Sequence, residues 1–204
     1  MSCSIRKVDA SPYAASLIEG HRDFGYSLET ALADIVDNAI TAKAKDVSLT
    51  AETASDEPWM AIADDGTGMT EVELIEAMRL GSKNPTHERS AEDLGRFGLG
   101  LKSASFSQCR SLTVLTRKNG SIACARWNLD RISKRNDWSL ELIDDTSSLL
   151  GRKLLPETGT VVIWENLDRL NGGYTHDLVK RAEHINSELS QAEKAFMFGL
   201  SSLY

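Results

Sequence analysis

The chain of 204 residues reads as an α/β sandwich: a mixed, mostly antiparallel sheet with helices packed on one face. Three observations predict it. Leu28, Leu32, Ile35, Val36 and Ala39 recur at helical spacing and make one apolar stripe. Val47, Leu49 and Ala51 alternate with Ser48, Thr50 and Glu52, the period of a strand. Beyond residue 110, short strand-like runs follow one another across turn signals such as Asn119-Gly120.

The elements follow in order. Residues 11–20 form a short helix opened by Ser11 and Pro12. Residues 27–45 form the strongest helix, capped by Ser27, with Thr30 in place of the usual capping-box acid. A strand at 47–52 precedes Glu57-Pro58 and a second strand at 59–63. Residues 71–80 are an amphipathic helix. Residues 81–95 are polar and aperiodic, a length that fits a functional lid. A helix begins near Gly100, and strands are expected at 111–117, 121–128, 138–143 and 160–165. Residues 175–203 are helical and end in Phe196, Phe198, Leu200, Leu203 and Tyr204 with no stop signal. Such an apolar end is expected to pack on a partner or lead into a downstream region.

Net charge is −7, which argues against a surface devoted to coating nucleic acid. Arg110, Arg117, Lys118, Arg126, Arg131, Lys134 and Arg135 gather loosely and read as a solvated face of the sheet. Cys3, Cys109 and Cys124 form no metal or disulfide pattern, and the latter two sit among apolar neighbours as core residues would. No membrane-spanning run and no signal core is present, so a cytoplasmic protein is expected.

Three clusters carry chemistry. Asp34 and Asn38 lie one turn apart on a helix face flanking the apolar stripe. There Asn38 offers a hard oxygen to Mg²⁺ and Asp34 a carboxylate that can orient or deprotonate water. Asp64-Asp65-Gly66-Thr67-Gly68-Met69 follows a strand directly. A carboxylate accepts and does not donate, which suits Asp64 to the amine of adenine, with Met69 as an adaptable apolar wall. Gly98 and Gly100 open a helix carrying Lys102 and Ser103, a place where backbone N–H groups meet an anion. Gly95 through Ser103 nearly spells a P-loop, but Leu101 separates Gly100 from Lys102 and breaks the required contiguity. Each cluster also has a plain reading, as polar helix surface or an ordinary turn.

In this order the clusters resemble the ATP-binding domain of the GHKL superfamily, which includes gyrase, ninety-kilodalton heat-shock chaperones, histidine kinases, MutL and the MORC proteins. The acidic residue, three residues, then Asn of the family's N box is matched by Asp34 and Asn38. Its Asp-x-Gly-x-Gly box is matched by Asp64, Gly66 and Gly68, its glycine box by Gly98 and Gly100, and its Gly-Thr by Gly159-Thr160. Residues 25–31 and 100–105 look most like MORC-type and related bacterial ATPases.

The resemblance implies a Bergerat-type fold over residues 1–175, with 176–204 a helical segment leading into a downstream region. It implies ATP and Mg²⁺ as ligands. Asn38 would hold the metal, Asp64 and Thr160 the adenine, and Gly98, Gly100 and Lys102 the phosphates. Asp34 stands where gyrase, MutL and MORC proteins carry a hydrolytic Glu and is one methylene shorter, which implies slow hydrolysis. The implied function is an ATP-driven clamp that dimerises on ATP and serves a DNA or protein client. A histidine-kinase catalytic domain and a non-hydrolysing ATP scaffold are the alternatives. His21, His87, His176 and His184 lack the setting of a phospho-acceptor and read as surface residues.

Overall fold

A computed structural model describes residues 5–8, 12–23, 25–81 and 100–201, the side chains of 195–201 excepted. The lid expected at 81–95, the glycines at 95 and 98 and the apolar end therefore fall wholly or mainly outside the described residues. Helix α1 spans Ala14–Arg22 and α2 Leu28–Thr41. Strands β1 (Val47–Glu52) and β2 (Trp59–Asp64) lead to α3 (Glu71–Met78). Helix α4 (Gly100–Phe106) is followed by β3 (Ser111–Lys118), β4 (Ser121–Asn128), α5 (Leu129–Arg135) and β5 (Glu141–Leu142). Strand β6 (Gly159–Glu165) and helix α6 (Leu178–Ser201) complete the order.

The cap expected at Ser27 forms, its Oγ accepting from the Thr30 N–H at 3.3 Å and meeting the Thr30 hydroxyl at 3.1 Å. Helix α3 has a full capping box, in which Thr70 and Glu73 each bond the other's backbone N–H. Lys118 closes on the Glu73 carboxylate at 2.8 Å, and together these bonds hold its pKa down to about 2.

Among the described residues the strands form one six-stranded sheet, ordered β1-β2-β6-β3-β4-β5. Each pairing is antiparallel, so the mixed sheet allowed by the sequence is in fact uniform. Register stacks the helix-facing side chains in rows. Met60, Trp164, Leu112 and Trp127 make one row, and Ile62, Val162, Val114 and Ala125 the next. The following row is Asp64, Thr160, Thr116 and Ala123. The apolar rows pack on residues from every helix, including Ile18, Leu32, Ile35, Leu74, Phe106 and Ile185. Polar side chains enter where the third row begins.

The opposite face is not bare. Ala61, Ala63, Leu115, Cys124, Val161 and Ile163 are covered by Leu149, Leu154 and Leu155, from the segment between β5 and β6. Gly151 lets that segment turn at φ +74, where a Cβ would press within 2.9 Å of Ile163. Cys109 and Cys124 are buried free thiols, as expected. Burial pushes Cys124 up to about 11 and Cys109 further still.

Some expectations are corrected. Val47 and Leu49 share one face of β1, as the alternation predicts, but that face is open: they are 40% and 46% exposed. β1 is an edge strand, and the core takes only Ala51 from it. The strand expected at 138–143 shrinks to Glu141–Leu142; Ile143 still donates its N–H to the Cys124 carbonyl, and its side chain packs on the opposite face. The basic residues beyond 110 are largely neutralised rather than openly solvated. Arg110 pairs with Glu19 and Asp130, Arg126 with Glu165, and Arg131 with Glu141. His21 and His184 are half-buried, His184 lying edge-on to Tyr174, so neither is a plain surface residue.

Candidate nucleotide-binding site

The polar third row is the floor of the site. Asp64 ends β2 and stands opposite Thr160, which in turn stands opposite Thr116 on β3. Antiparallel partners point to the same face, so three strands bring these side chains together. Gly66 donates its N–H to Asp64 Oδ1 at 2.9 Å. Burial raises the Asp64 pKa above the usual carboxylate value, against the opposing pull of that bond and the Thr160 backbone.

The glycines of this loop are required by neighbouring protein. Gly68 has φ +63, and a Cβ there would fall inside the Arg117 carbonyl oxygen. A Cβ at Gly66 would lie 2.8 Å from both Asp64 Oδ1 and Ala42 Cβ. Gly159 has φ +135, and a Cβ there would strike the Asp64 carbonyl oxygen. Met69 is half-buried against the core, and its N–H donates to Thr116 Oγ1 at 2.9 Å.

Helix α2 runs along this floor. Its end is fastened to the loop by Thr67 N–H to the Ala42 carbonyl at 2.9 Å. Asp65, which the sequence reading left without a role, accepts from the Lys45 and Asp46 N–H groups at 2.7 and 2.9 Å and fixes the turn into β1. One turn before Ala42, the Asn38 side chain is exposed and gives its amide N–H to the Asp34 carbonyl at 2.7 Å. That bond commits Nδ2 and leaves Oδ1 as a hard oxygen ligand. Among the described residues no three His, Cys, Asp or Glu side chains converge as a metal cage. A metal here would take one protein oxygen and complete its shell with phosphates and water, the habit of Mg²⁺.

Asp34 is half-buried on the same helix. Its Oδ2 lies 3.5 Å from where a Cβ on Gly100 would sit, which sets the carboxylate beside the first residue of α4. Burial raises the Asp34 pKa, the Tyr26 phenol opposes that by hydrogen bonding, and Asp37 adds to it. Tyr26 is itself pushed up, by burial first and Asp34 second. Its backbone carbonyl is anchored by Gln108 Nε2 at 3.1 Å. Neither Tyr26 nor Thr116 was singled out in the sequence. Thr116 was findable there, as the polar step in the face Leu112, Val114, Thr116.

Lys102 reaches the carboxyl end of α3. It is only 2% exposed, and Nζ donates to the Ala77 carbonyl at 2.7 Å, at the carboxyl end of α3. The adjacent Met78 carbonyl takes Trp127 Nε1 at 2.9 Å. Replacing Lys102 with Met leaves the Ala77 carbonyl short of a donor. It is expected to lower stability without nucleotide by about 1–3 kcal/mol. Urea denaturation checks this; a lysine serving phosphate alone would leave that stability unchanged and lower only nucleotide affinity.

Comparison with known proteins agrees with this geometry. Residues 26–155 match the family described as histidine kinase-, DNA gyrase B-, and HSP90-like ATPases. The chain is 28% identical over 176 residues to ATPase morc-1 of Caenorhabditis elegans, covering 69% of this chain and 20% of that protein. It is 30% identical over 97 residues to ATPase MORC2B of Mus musculus, covering 46% of this chain and 9% of that protein. The chain thus spans a small part of the length of either relative.

Proposed function

The chain belongs to the histidine kinase-, DNA gyrase B-, and HSP90-like ATPase family, and from that premise we propose that it binds ATP with Mg²⁺ and hydrolyses it slowly. The observation that carries this reading is that α2 joins two half-sites. Its Asp34 lies beside the start of α4, and its Ala42 end is bonded to the loop that follows Asp64. Base and phosphate ends of a nucleotide would each meet residues of the same helix.

Adenine lies over the third row, its amine facing Asp64, with Thr160 beside it and Met69 as a wall. The start of α4 at Gly100 receives phosphate through backbone N–H groups, with Gly98 and Lys102 of the same sequence box serving the same anion. Asn38 Oδ1 would hold Mg²⁺, which neutralises phosphate charge when bound. Asp34 orients the attacking water, and the nearby Tyr26 phenol favours its charged form. Slow turnover fits a carboxylate one methylene shorter than Glu. ATP binding then pairs two copies as a clamp; sedimentation with and without a non-hydrolysable ATP analogue tests that step. Among the described residues no helix is long and apolar enough to cross a membrane.

Radiolabelled ATP tests the central reading. Free phosphate supports the ATPase, label on the protein supports a histidine-kinase module, and bound but unchanged ATP supports a scaffold. Selectivity gives a second test. Asp64→Asn replaces an acceptor oxygen with a donor and is expected to weaken ATP by roughly 1–3 kcal/mol and erase preference over GTP. Acid should act the same way, since protonation makes Asp64 a donor. Because burial raises its pKa, ATP affinity falls from a higher pH than an exposed Asp would give. Stability responds with the opposite sign: a raised carboxylate pKa favours the folded state at low pH, and that contribution is lost as pH rises through it. Calorimetry across pH, on wild type and Asp64→Asn, separates the two. A wild type that binds GTP as well as ATP would sink the Asp64 role.

A further inference from the structure

Thr116 lies in the polar row that floors the candidate site, fully buried, and the ATPase reading gives it no task. Its hydroxyl has three partners. It donates to the Gly159 carbonyl at 3.0 Å, accepts from Met69 N–H at 2.9 Å and meets Thr160 Oγ1 at 3.1 Å.

We propose that Thr116 sets base selectivity by fixing the direction of the Thr160 hydroxyl proton. The inference rests on the nucleotide reading of this site. A hydroxyl carries one proton and two lone pairs. At Thr116 the proton is committed to the Gly159 carbonyl and one lone pair to Met69 N–H. The contact with Thr160 is therefore closed by the Thr160 proton, which points away from the ligand and into the sheet. Thr160 then shows only lone pairs to the pocket. Asp64 as a carboxylate shows only acceptors, one of its oxygens already taken by Gly66 N–H. A floor of acceptors favours a base edge that donates, such as the exocyclic amine of adenine. It disfavours a carbonyl at the same position, as in hypoxanthine. Without Thr116, the Thr160 hydroxyl is free to rotate and donate to that carbonyl.

Thr116 also satisfies two backbone groups, so its loss lowers stability whatever its effect on the base. The readout must therefore be a ratio. Dissociation constants for ATP and ITP, which differ in amine against carbonyl, are measured by calorimetry on the full chain with Mg²⁺. Wild type, Thr116→Val and Thr116→Ser are compared. The ATP preference of the wild type is expected to shrink about tenfold in Thr116→Val, the weight of one hydrogen bond, and to survive in Thr116→Ser. An unchanged ratio in a folded Thr116→Val protein overturns the proposal. If that variant does not melt cooperatively, Thr116→Cys replaces it. Cys keeps the volume and weakens the three bonds, and an unchanged ratio there overturns the proposal equally. Failure of the wild type to bind either nucleotide would remove the ATP reading itself. Wild-type ATP preference with an unaltered variant ratio would remove only the role of Thr116.

Discussion

Asp34→Asn is expected to lower ATP turnover by about 10²–10⁴-fold, the usual share of general acid–base catalysis, while nucleotide affinity stays close to wild type. The separation follows from geometry. The Asp34 carboxylate sits beside Gly100 and near enough to the Tyr26 phenol for the two to shift each other's pKa, whereas its backbone carbonyl is what Asn38 bonds. Substituting the side chain leaves that carbonyl in place, so Asn38 keeps its orientation toward Mg²⁺. Tyr26 can still donate to an amide oxygen, so the variant should not collapse locally. Asn38→Ala should do the reverse and weaken Mg²⁺-dependent binding itself. Asp34→Glu restores the longer side chain of gyrase-like relatives, and the missing Cβ of Gly100 gives it space on one side. Turnover by phosphate release and affinity by calorimetry, measured together, decide the matter. Wild-type turnover in Asp34→Asn would mean that another group positions the water.

Gly68→Ala and Gly159→Ala are expected to cost at least about 3 kcal/mol each, a strained backbone added to an overpacked contact. In both the obstacle is a strand carbonyl, of Arg117 on β3 or Asp64 on β2, and neither can move without breaking the sheet. Nucleotide affinity should fall with stability, because the row Asp64, Thr160, Thr116 is what the new methyl displaces. Gly120 supplies the control. It has φ +80 in the β3–β4 turn, but nothing lies within 4 Å of its Cβ position. Gly120→Ala carries strain alone, about 1–3 kcal/mol. Denaturant midpoints for the three variants isolate the steric part; equal losses at Gly68 and Gly120 would contradict the close approach.

Local chemistry made much of the site legible. Asp34 and Asn38 could be placed on one face because helical period fixes that relation whatever surrounds it. Asp64 with its glycines could be read because the loop is contiguous. Tertiary neighbours were not readable. The glycines before Lys102 invite an anion-binding role, and nothing near it in sequence announces that its ammonium also meets a carbonyl 25 residues away. Alternation said that Val47 and Leu49 share a face, but not that an edge strand leaves that face open. Helix α5 was missed although its signals are present. Asn128 caps it by accepting from Arg131 N–H, Lys134 and Arg135 occupy its last turn, and Asn136 ends it at φ +51. Seven residues are too few for periodicity, and the preceding strand pattern absorbed the cap. The pairing of buried Arg22 with Asp168 joins residues 146 apart, and nothing local announces it.

Among the described residues β6 is the last strand in sequence, and it sits in the middle of the sheet, between β2 and β3. A ribosome delivers the two outer units first, the β1–β2 hairpin and the strands from β3 to β5. They have no edge in common until β6 arrives to bridge them. Asp64 and Thr116 are then on separate pieces of a growing polypeptide, and no half-formed pocket can retain ligand. Competence for nucleotide should appear abruptly once β6 is released, not in proportion to length. Ordering such distant segments is slow compared with closing helices, so the insertion of β6 is the step at which a nascent chain would be most exposed to mispairing.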